Sequence, residues 1–297
     1  MLLTTFIHAK QTRIGILDLQ QNEVIDLHNA AKHLPHNMLD FIAQGESAID
    51  AARKAISSSK GRIPLSQIQI IAPIPRPGRN VFCIGKNYRE HVQELQGAGS
   101  ACDTGDKNPL PDKPIFFTKA TSSVIGPNEP IPAWLDPTAS TDYEGELAVI
   151  IGKGGRGIKY DDAMQHVYGY TILNDVTSRR LQREHQQWFL GKSLDGFCPM
   201  GPVIITADEI PDVKQLRVQT WVGNELRQDD VVASLIFDIP TLIETLSRTM
   251  TLEPGDIIAT GTPAGVGMGF KPPRFLQKGD VVKIKIDPIG TLENPVA

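Results

Sequence analysis

The sequence predicts an α+β protein dominated by antiparallel sheet, on three observations. Short apolar, β-branched runs recur from residue 80 onward, Gly and Pro interrupt them at close intervals, and long helices do not alternate regularly with them. The runs are ELAVIIG, YGYTILND, GPVIITADEI, LRVQTWVG, DIIATG and DVVKIKI. Helices are expected at REHVQEL, at DDAMQHVYG and at IPTLIETLSRTM, where Ile239, Leu242, Ile243, Leu246 and Met250 fall on one face.

The first 72 residues read as a small α+β unit, with strand-like TRIGILDL and EVIDL followed by helical spacing from Met38 to Ile56. Residues 73–79 carry prolines at 73, 75 and 77 followed by Gly78, which neither a helix interior nor a central strand accepts, so they form a linker into a larger domain over 80–297. A chain of 297 residues suits one large domain with a smaller appendage. Residues 96–113 are polar, rich in Gly and Pro and without periodicity; they read as a lid over the site or as a tolerated surface insertion.

A net charge of -4 speaks against a nucleic-acid or anionic-membrane partner, either of which calls for clustered Lys and Arg. No apolar run approaches the roughly 18 residues that span a bilayer, and the start lacks the order of a signal peptide, so a cytoplasmic location is expected. Cys83, Cys102 and Cys198 are odd in number, with no CxxC pair, and are read as reduced thiols without a disulfide framework or structural zinc; Cys83 reads as a buried small hydrophobe.

The strongest chemical signal is DYEGE running into LAVIIG. In a strand, Glu144 and Glu146 share a face with side chains roughly 7 Å apart, while Leu147, Val149 and Ile151 share the other parity. Two such carboxylates repel unless a cation or basic partner lies between them. Taken alone, the pair is either a solvated strand entrance or half of a metal site. A second apolar strand ends at Asp175, which completes a set of hard oxygens suited to Mg²⁺ or Mn²⁺ with positions left for substrate. Zinc is disfavoured because no His or Cys converges on the set.

Three further segments supply other roles. In GKNYREHVQE, His91 and Glu94 stand three apart on a short helix, a spacing in which the carboxylate fixes the imidazole tautomer and leaves a general base. Lys192, in LGKS, is placed to stabilise a developing enolate or is simply a solvated lysine. The turn after IIAT offers Thr262 and the neighbouring backbone N–H groups, Gly261 among them, to a substrate carboxylate. GKGGRG at 152–157 satisfies GxGxxG after a strand, but the alternating unit of a dinucleotide fold is not evident, and it reads as a hairpin-like loop.

Taken together, GKNYREHVQE, TDYEGELAVIIGKGGRGI, YTILNDVTSR, LGKSLDGFCPMGP, NELRQDD and LEPGDIIATGTPAGVG, in this order over nearly all of residues 80–290, resemble the successive motifs of the fumarylacetoacetate hydrolase family. GFKPPRFLQKGD is similar to the branch that includes the mammalian domain-containing-protein-2 type. The resemblance implies a distorted β-roll, a homodimer and one Mg²⁺ or Mn²⁺ per subunit on Glu144, Glu146 and Asp175. It also implies a His91–Glu94 dyad, with Lys192 and Thr262 against substrate. Lys119 belongs to a turn from which the family contacts substrate, although Ala120 follows it where many relatives have proline.

The expected substrate is a small 2-oxo acid. The leading expectation is hydrolysis of a carbon–carbon bond in an acylpyruvate or related β-diketo acid, with His91 activating water and a pyruvate-like enolate departing. Decarboxylation or tautomerisation of oxaloacetate and isomerisation of a 2-oxo-dienedioate pass through the same kind of enolate. A non-catalytic 2-oxo acid binder is the alternative from another class.

Overall fold

The computed structural model describes residues 1–57, 60–96 and 110–297. Most of the expected lid segment, and Cys102 within it, therefore lies outside the described residues. Among those described, no helix is long and apolar enough to cross a membrane.

A 12-stranded sheet organises the chain. Its central strands, Cys198–Thr206, Val167–Asn174 and Gly145–Ile151, pair antiparallel; Ile257–Ala259 continues from Gly145–Ile151, and Val81–Gly85 and Ile115–Lys119 complete that side. All of these pairings are antiparallel except that of Ile257–Ala259 with Val81–Gly85. On the other side Leu2–His8 pairs with Cys198–Thr206, matching Leu3 to Ile204, so the first residues of the chain extend the same sheet. Hydrogen bonding thus runs continuously from residues 1–72 into 80–297, and the proline-bearing 73–79 contains neither strand nor helix.

Gly145–Ile151 is buried along its whole length, and its two faces meet different layers. Leu147, Val149 and Ile151 pack with Val218, Ile284 and Leu292 of a second, four-stranded antiparallel sheet, whose order is Glu225–Val231, Arg217–Val222, Val281–Ile286, Gly290–Pro295. Ala148 and Ile150 share a core with Phe41, Ile49 and Ala52 of the N-terminal helices. A strand covered on both sides must be apolar at both parities, which is why ELAVIIG shows no polar alternation.

The expected helix from Met38 to Ile56 is two helices, Met38–Ala43 and Glu46–Ile56, because Gly45 takes a left-handed φ of 67° and turns the chain between them. DDAMQH winds as a 3₁₀ segment, Tyr160–His166, and Val167 onward is strand. Ile239–Ser247 forms as expected: the Asp238 carboxylate caps Thr241 N–H, Pro240 sits in the first turn, and Ile239, Leu242, Ile243 and Leu246 are buried. Met250 lies past its end and is 36% exposed. Ile243 is fully buried, so Ile243→Ala is expected to cost about 2–5 kcal/mol, measurable as a shift in the urea unfolding midpoint.

Pairing register brings the chemistry to one end of the sheet. Gly145 sits opposite Asn174 and Ala148 opposite Ala259, so the start of one strand meets the finishes of its two neighbours. Val81–Gly85 runs parallel to Ile257–Ala259 and finishes there too. Glu144, Glu146, Asp175, the helix that carries His91 and the turn at Gly261 and Thr262 are thereby gathered from distant stretches of sequence. The glycine-rich 152–157 leads into no α-helix; Gly155 exchanges backbone hydrogen bonds with Leu252.

Candidate active site

Glu144, Glu146 and Asp175 are buried, and one carboxylate oxygen from each lies within 4.8 Å of the others. Glu144 precedes the strand proper, yet the ladder reaches it: Asp175 N–H donates to its carbonyl at 2.8 Å, and its own N–H donates to Asn174 Oδ1 at 3.0 Å. This clamp fixes both carboxylates against each other.

Cationic side chains surround the cluster. Lys192 Nζ donates to Glu144 Oε2 and Asp175 Oδ2, both at 2.7 Å. Arg179 Nη1 lies 2.6 Å from Glu144 Oε1, and its Nε donates to Asp142 Oδ2 at 2.8 Å. Lys119 Nζ donates to Asp175 Oδ1 at 2.7 Å, to the Val176 carbonyl at 2.9 Å and to the Lys192 carbonyl. An ammonium has three protons and these acceptors use them all, so Lys119 stands behind Asp175 and braces it.

Among the described residues, four carboxylates, counting Asp142, face the three cations Lys119, Arg179 and Lys192 in these ion pairs, one negative charge more than positive. The excess falls on Glu146, whose Oε2 accepts a backbone N–H from Gly261 at 2.7 Å. Burial opposes ionisation of Glu144, but the Lys192 and Arg179 charges overcome it and hold that carboxyl below the usual range. For Glu146, burial together with the Asp175 and Glu144 charges pushes the carboxyl well above it. A divalent cation among the three oxygens supplies the missing positive charge, and an all-carboxylate set suits a hard ion, so the residues fit Mg²⁺ or Mn²⁺.

His91 faces the same space. His91 Nδ1 and Glu94 Oε1 are 2.8 Å apart, and Gly265 N–H holds the other Glu94 oxygen at 2.8 Å. With Nδ1 so engaged, Nε2 is the ring nitrogen available to a substrate. Gly265 has a left-handed φ of 106°, and a Cβ there would come within 1.8 Å of the Arg227 carbonyl. Gly265→Ala is expected to destabilise the protein by about 2–4 kcal/mol and to lower turnover by displacing Glu94, measured by melting and steady-state rates.

His91, Glu144, Glu146, Arg179 and Lys192 line a small cavity of about 20 Å³, with Phe117 and Trp188 as its aromatic walls. The two rings meet edge to face at 5.1 Å, and the indole packs over Gly85, where a Cβ would come within 2.3 Å of it. Gly85→Ala is therefore expected to shift Trp188 and lower kcat/KM by about 10-fold or more, with a change in tryptophan fluorescence as the structural readout. Thr262 lines the cavity while its hydroxyl donates to the Gly145 carbonyl at 2.9 Å and accepts from Gln228 Nε2 at 2.7 Å. A larger open cleft of about 790 Å³, between Tyr160, Tyr170 and Ile239, contains neither the carboxylate cluster nor the His91–Glu94 pair.

Arg179, Gln182 and Trp188 were missed as site residues from sequence. Arg179 had a usable signal, an arginine four residues after Asp175 with Asp142 two before Glu144. Gln182 and Trp188 had none, since their approach depends on how the helices Arg179–Glu184 and Phe189–Lys192 fold back. Cys83 and Cys198 are buried, and burial pushes both thiols up, that of Cys198 to about 12, so neither is a nucleophile at neutral pH.

A mixed sheet fold with buried carboxylates, bracing cations and a hydrogen-bonded His91–Glu94 pair at one strand end has the make-up of a metal-dependent enzyme site. Residues 80–297 match the family model described as fumarylacetoacetate (FAA) hydrolase C-terminal, and the chain belongs to the fumarylacetoacetate hydrolase family, whose enzymes include hydrolases, isomerases and decarboxylases. It is 45% identical to oxaloacetate tautomerase YisK of Bacillus subtilis over 297 residues, 95% of each chain. Among solved structures it resembles a fumarylacetoacetate hydrolase from psychrophilic Exiguobacterium antarcticum, with a TM-score of 0.83 and 42% identity over 100% of this chain and 99% of that one. It also resembles a maleylpyruvate hydrolase from Sphingobium sp. SYK-6 in complex with manganese(II) and pyruvate, with a TM-score of 0.80 and 32% identity at the same coverage.

Proposed function

We propose that the chain interconverts the keto and enol forms of a small 2-oxo dicarboxylic acid of the oxaloacetate class, by proton transfer at the carbon next to the 2-oxo group. The observation that carries this reading is the convergence of His91, held by Glu94, with Glu144 and Glu146 on one cavity, which puts a proton acceptor beside the carboxylates that would hold a metal-bound 2-oxo acid. The 45% identity to an oxaloacetate tautomerase supports the same choice.

In this reading Glu144, Glu146 and Asp175 would hold Mg²⁺ or Mn²⁺, which would supply positive charge to stabilise the enolate. His91 Nε2 accepts the C3 proton, and Glu94 stabilises the imidazolium through Nδ1. The Lys192 ammonium, fixed between Glu144 and Asp175, faces the oxygen on which charge develops. Returning the proton to oxygen gives the enol and returning it to C3 gives the keto acid, so nothing is consumed. Trp188 and Phe117 exclude bulk water, which would otherwise weaken each of these electrostatic contacts.

Hydrolysis of an acylpyruvate is the second reading, favoured by the likeness to the maleylpyruvate hydrolase structure. The same His91 would then deprotonate a water instead of a carbon. Ultraviolet absorbance following the enol of oxaloacetate, beside proton NMR of acylpyruvates, separates the two. The first reading expects fast metal-dependent decay of the enol signal with no acylpyruvate cleavage. Cleavage to a carboxylic acid and pyruvate, with oxaloacetate unaffected, overturns it.

A further inference from the structure

We infer that Gln228, a fully buried amide of the second sheet, sets the spacing of Glu144 and Glu146 and so fixes the affinity of the carboxylate cluster for its cation. Gln228 is a positioning residue: among the described residues, Thr262 lines the small cavity and Gln228 does not. It stands one layer behind, on the strand Glu225–Val231, where it is the one buried position. An amide buried on a strand whose other residues reach solvent calls for partners for its oxygen and for both of its N–H groups.

It has all three, and they enclose Gly145, the residue between the two glutamates. Oε1 accepts from Gly145 N–H at 3.0 Å, while Nε2 donates to Thr262 Oγ1 at 2.7 Å and to the Pro263 carbonyl at 2.8 Å. The Thr262 hydroxyl donates in turn to the Gly145 carbonyl at 2.9 Å, which closes a ring. The direction of each bond is forced, because a reversed amide would set Nε2 against Gly145 N–H, two donors face to face. Two peptide planes join Glu144 to Glu146. The first has its N–H on Gln228 and its carbonyl, that of Glu144, on Asp175 N–H; the second has its carbonyl on Thr262. Gly261, just before Thr262, donates its N–H to Glu146 Oε2, so the turn that Gln228 holds also holds one of the carboxylates.

Two features of the backbone serve this contact. The pairing of Glu225–Val231 with Arg217–Val222 passes from Gln228 opposite Thr220 to Leu226 opposite Trp221 and skips Arg227. Such a bulge re-aims the strand, and Gln228 turns inward while Leu226 stays 44% exposed. At Gly145 a Cβ would come within 2.2 Å of Thr220 Oγ1 and 3.3 Å of Gln228 Oε1, so only glycine lets the second sheet approach the ligand-bearing strand this closely. A carboxylate ligand is only as well placed as the backbone it springs from, and outer groups that orient ligands strengthen metal binding. The inference rests on the reading of the cluster as a divalent-metal site.

Calorimetric titration of Mn²⁺ into the full chain, at a temperature where each variant is folded by circular dichroism, tests it. Gln228→Met, close in size and without the amide, is expected to bind Mn²⁺ about 10- to 100-fold more weakly than the wild type, with a broadened electron paramagnetic resonance from the bound ion. Thr262→Val breaks the same ring from the other side and should show a similar loss, whereas Thr262→Ser keeps the hydroxyl and should hold Mn²⁺ nearly as the wild type does. Because the two side chains act as one unit, the double variant Gln228→Met/Thr262→Val should lose less than the two single losses combined. Ile243→Ala, on a helix that bears none of these residues, is the comparison: it should lower Tm and leave Mn²⁺ affinity at the wild-type level, and so would Gln228→Met if its role were merely structural. That pattern in Gln228→Met, or in Thr262→Val should the first variant not fold, overturns the proposal, as do losses that simply add. A wild type that takes up no Mn²⁺ defeats the metal reading and this inference with it. Mn²⁺ binding with the expected Gln228 dependence but no turnover of oxaloacetate defeats the tautomerase reading alone, and the assignment of Gln228 stands.

Discussion

Glu146→Gln is expected to abolish metal-dependent turnover, a loss of about 10³-fold or more, while leaving the metal-free protein as stable as before or more so. The opposite signs follow from one fact: among the described residues, Glu146 is the carboxylate in the cluster for which no ion pair is seen, and burial with its neighbours' negative charges outweighs the Lys192 charge. Without a divalent ion, its ionised form is an uncompensated buried charge, and an isosteric amide removes that repulsion. With the ion, the amide lacks the negative charge that completes the ligand set. Melting curves recorded with and without Mn²⁺ therefore check the account independently of activity. The wild type should gain Tm on addition of metal, by mass action on the folded state, and the variant should not. A variant that melts far lower without metal contradicts this description of the site's electrostatics.

The second large effect concerns the base. His91→Ala is expected to lower kcat by about 10²- to 10⁴-fold, the usual range for loss of a positioned proton acceptor, with Mn²⁺ affinity nearly unchanged. The residue sits on the helix Arg89–Glu94, apart from the strands whose ends carry the ligands, and its hydrogen bond is to Glu94. Glu94→Gln should show a smaller loss, since the amide still reaches His91 but no longer stabilises its charged form. Steady-state rates with calorimetric Mn²⁺ titration of the same preparations check both. Loss of metal binding in His91→Ala would mean that the histidine supports the cluster and is not the base.

The parts of the site that carry charge at characteristic spacing were readable in the sequence. Glu144 and Glu146 share a parity because a strand alternates, and an acid ending the neighbouring strand must meet them if the two strands pair antiparallel in that register. His91 and Glu94 need only one helical turn to find each other. Lys119 shows where sequence stops. Its position after an apolar strand was visible, but its burial against Asp175, Val176 and Lys192 depends on three segments that meet only in the folded chain.

The fold divides along similar lines. The apolar runs gave the strands, and the Asp238 cap with its following apolar spacing gave the helix Ile239–Ser247. The break at Gly45 was present in the sequence as a single glycine, which a run of helical spacing on both sides concealed. Nothing local in LLTTFIH indicates that it pairs with Cys198–Thr206, because nonlocal strand pairing is decided by which exposed edge remains once the neighbours have formed. Phe117 and Trp188 as the cavity walls are likewise a tertiary result, made possible by the absence of a side chain at Gly85.

The most direct measurement is the anomalous scattering of Mn²⁺ in crystals of the chain grown with that ion. The account predicts one strong peak per chain within coordination distance of oxygens from Glu144, Glu146 and Asp175, reached without dislodging Lys119 or Arg179. A chain that stays free of manganese at saturating concentration, or one that binds it elsewhere, contradicts the central claim.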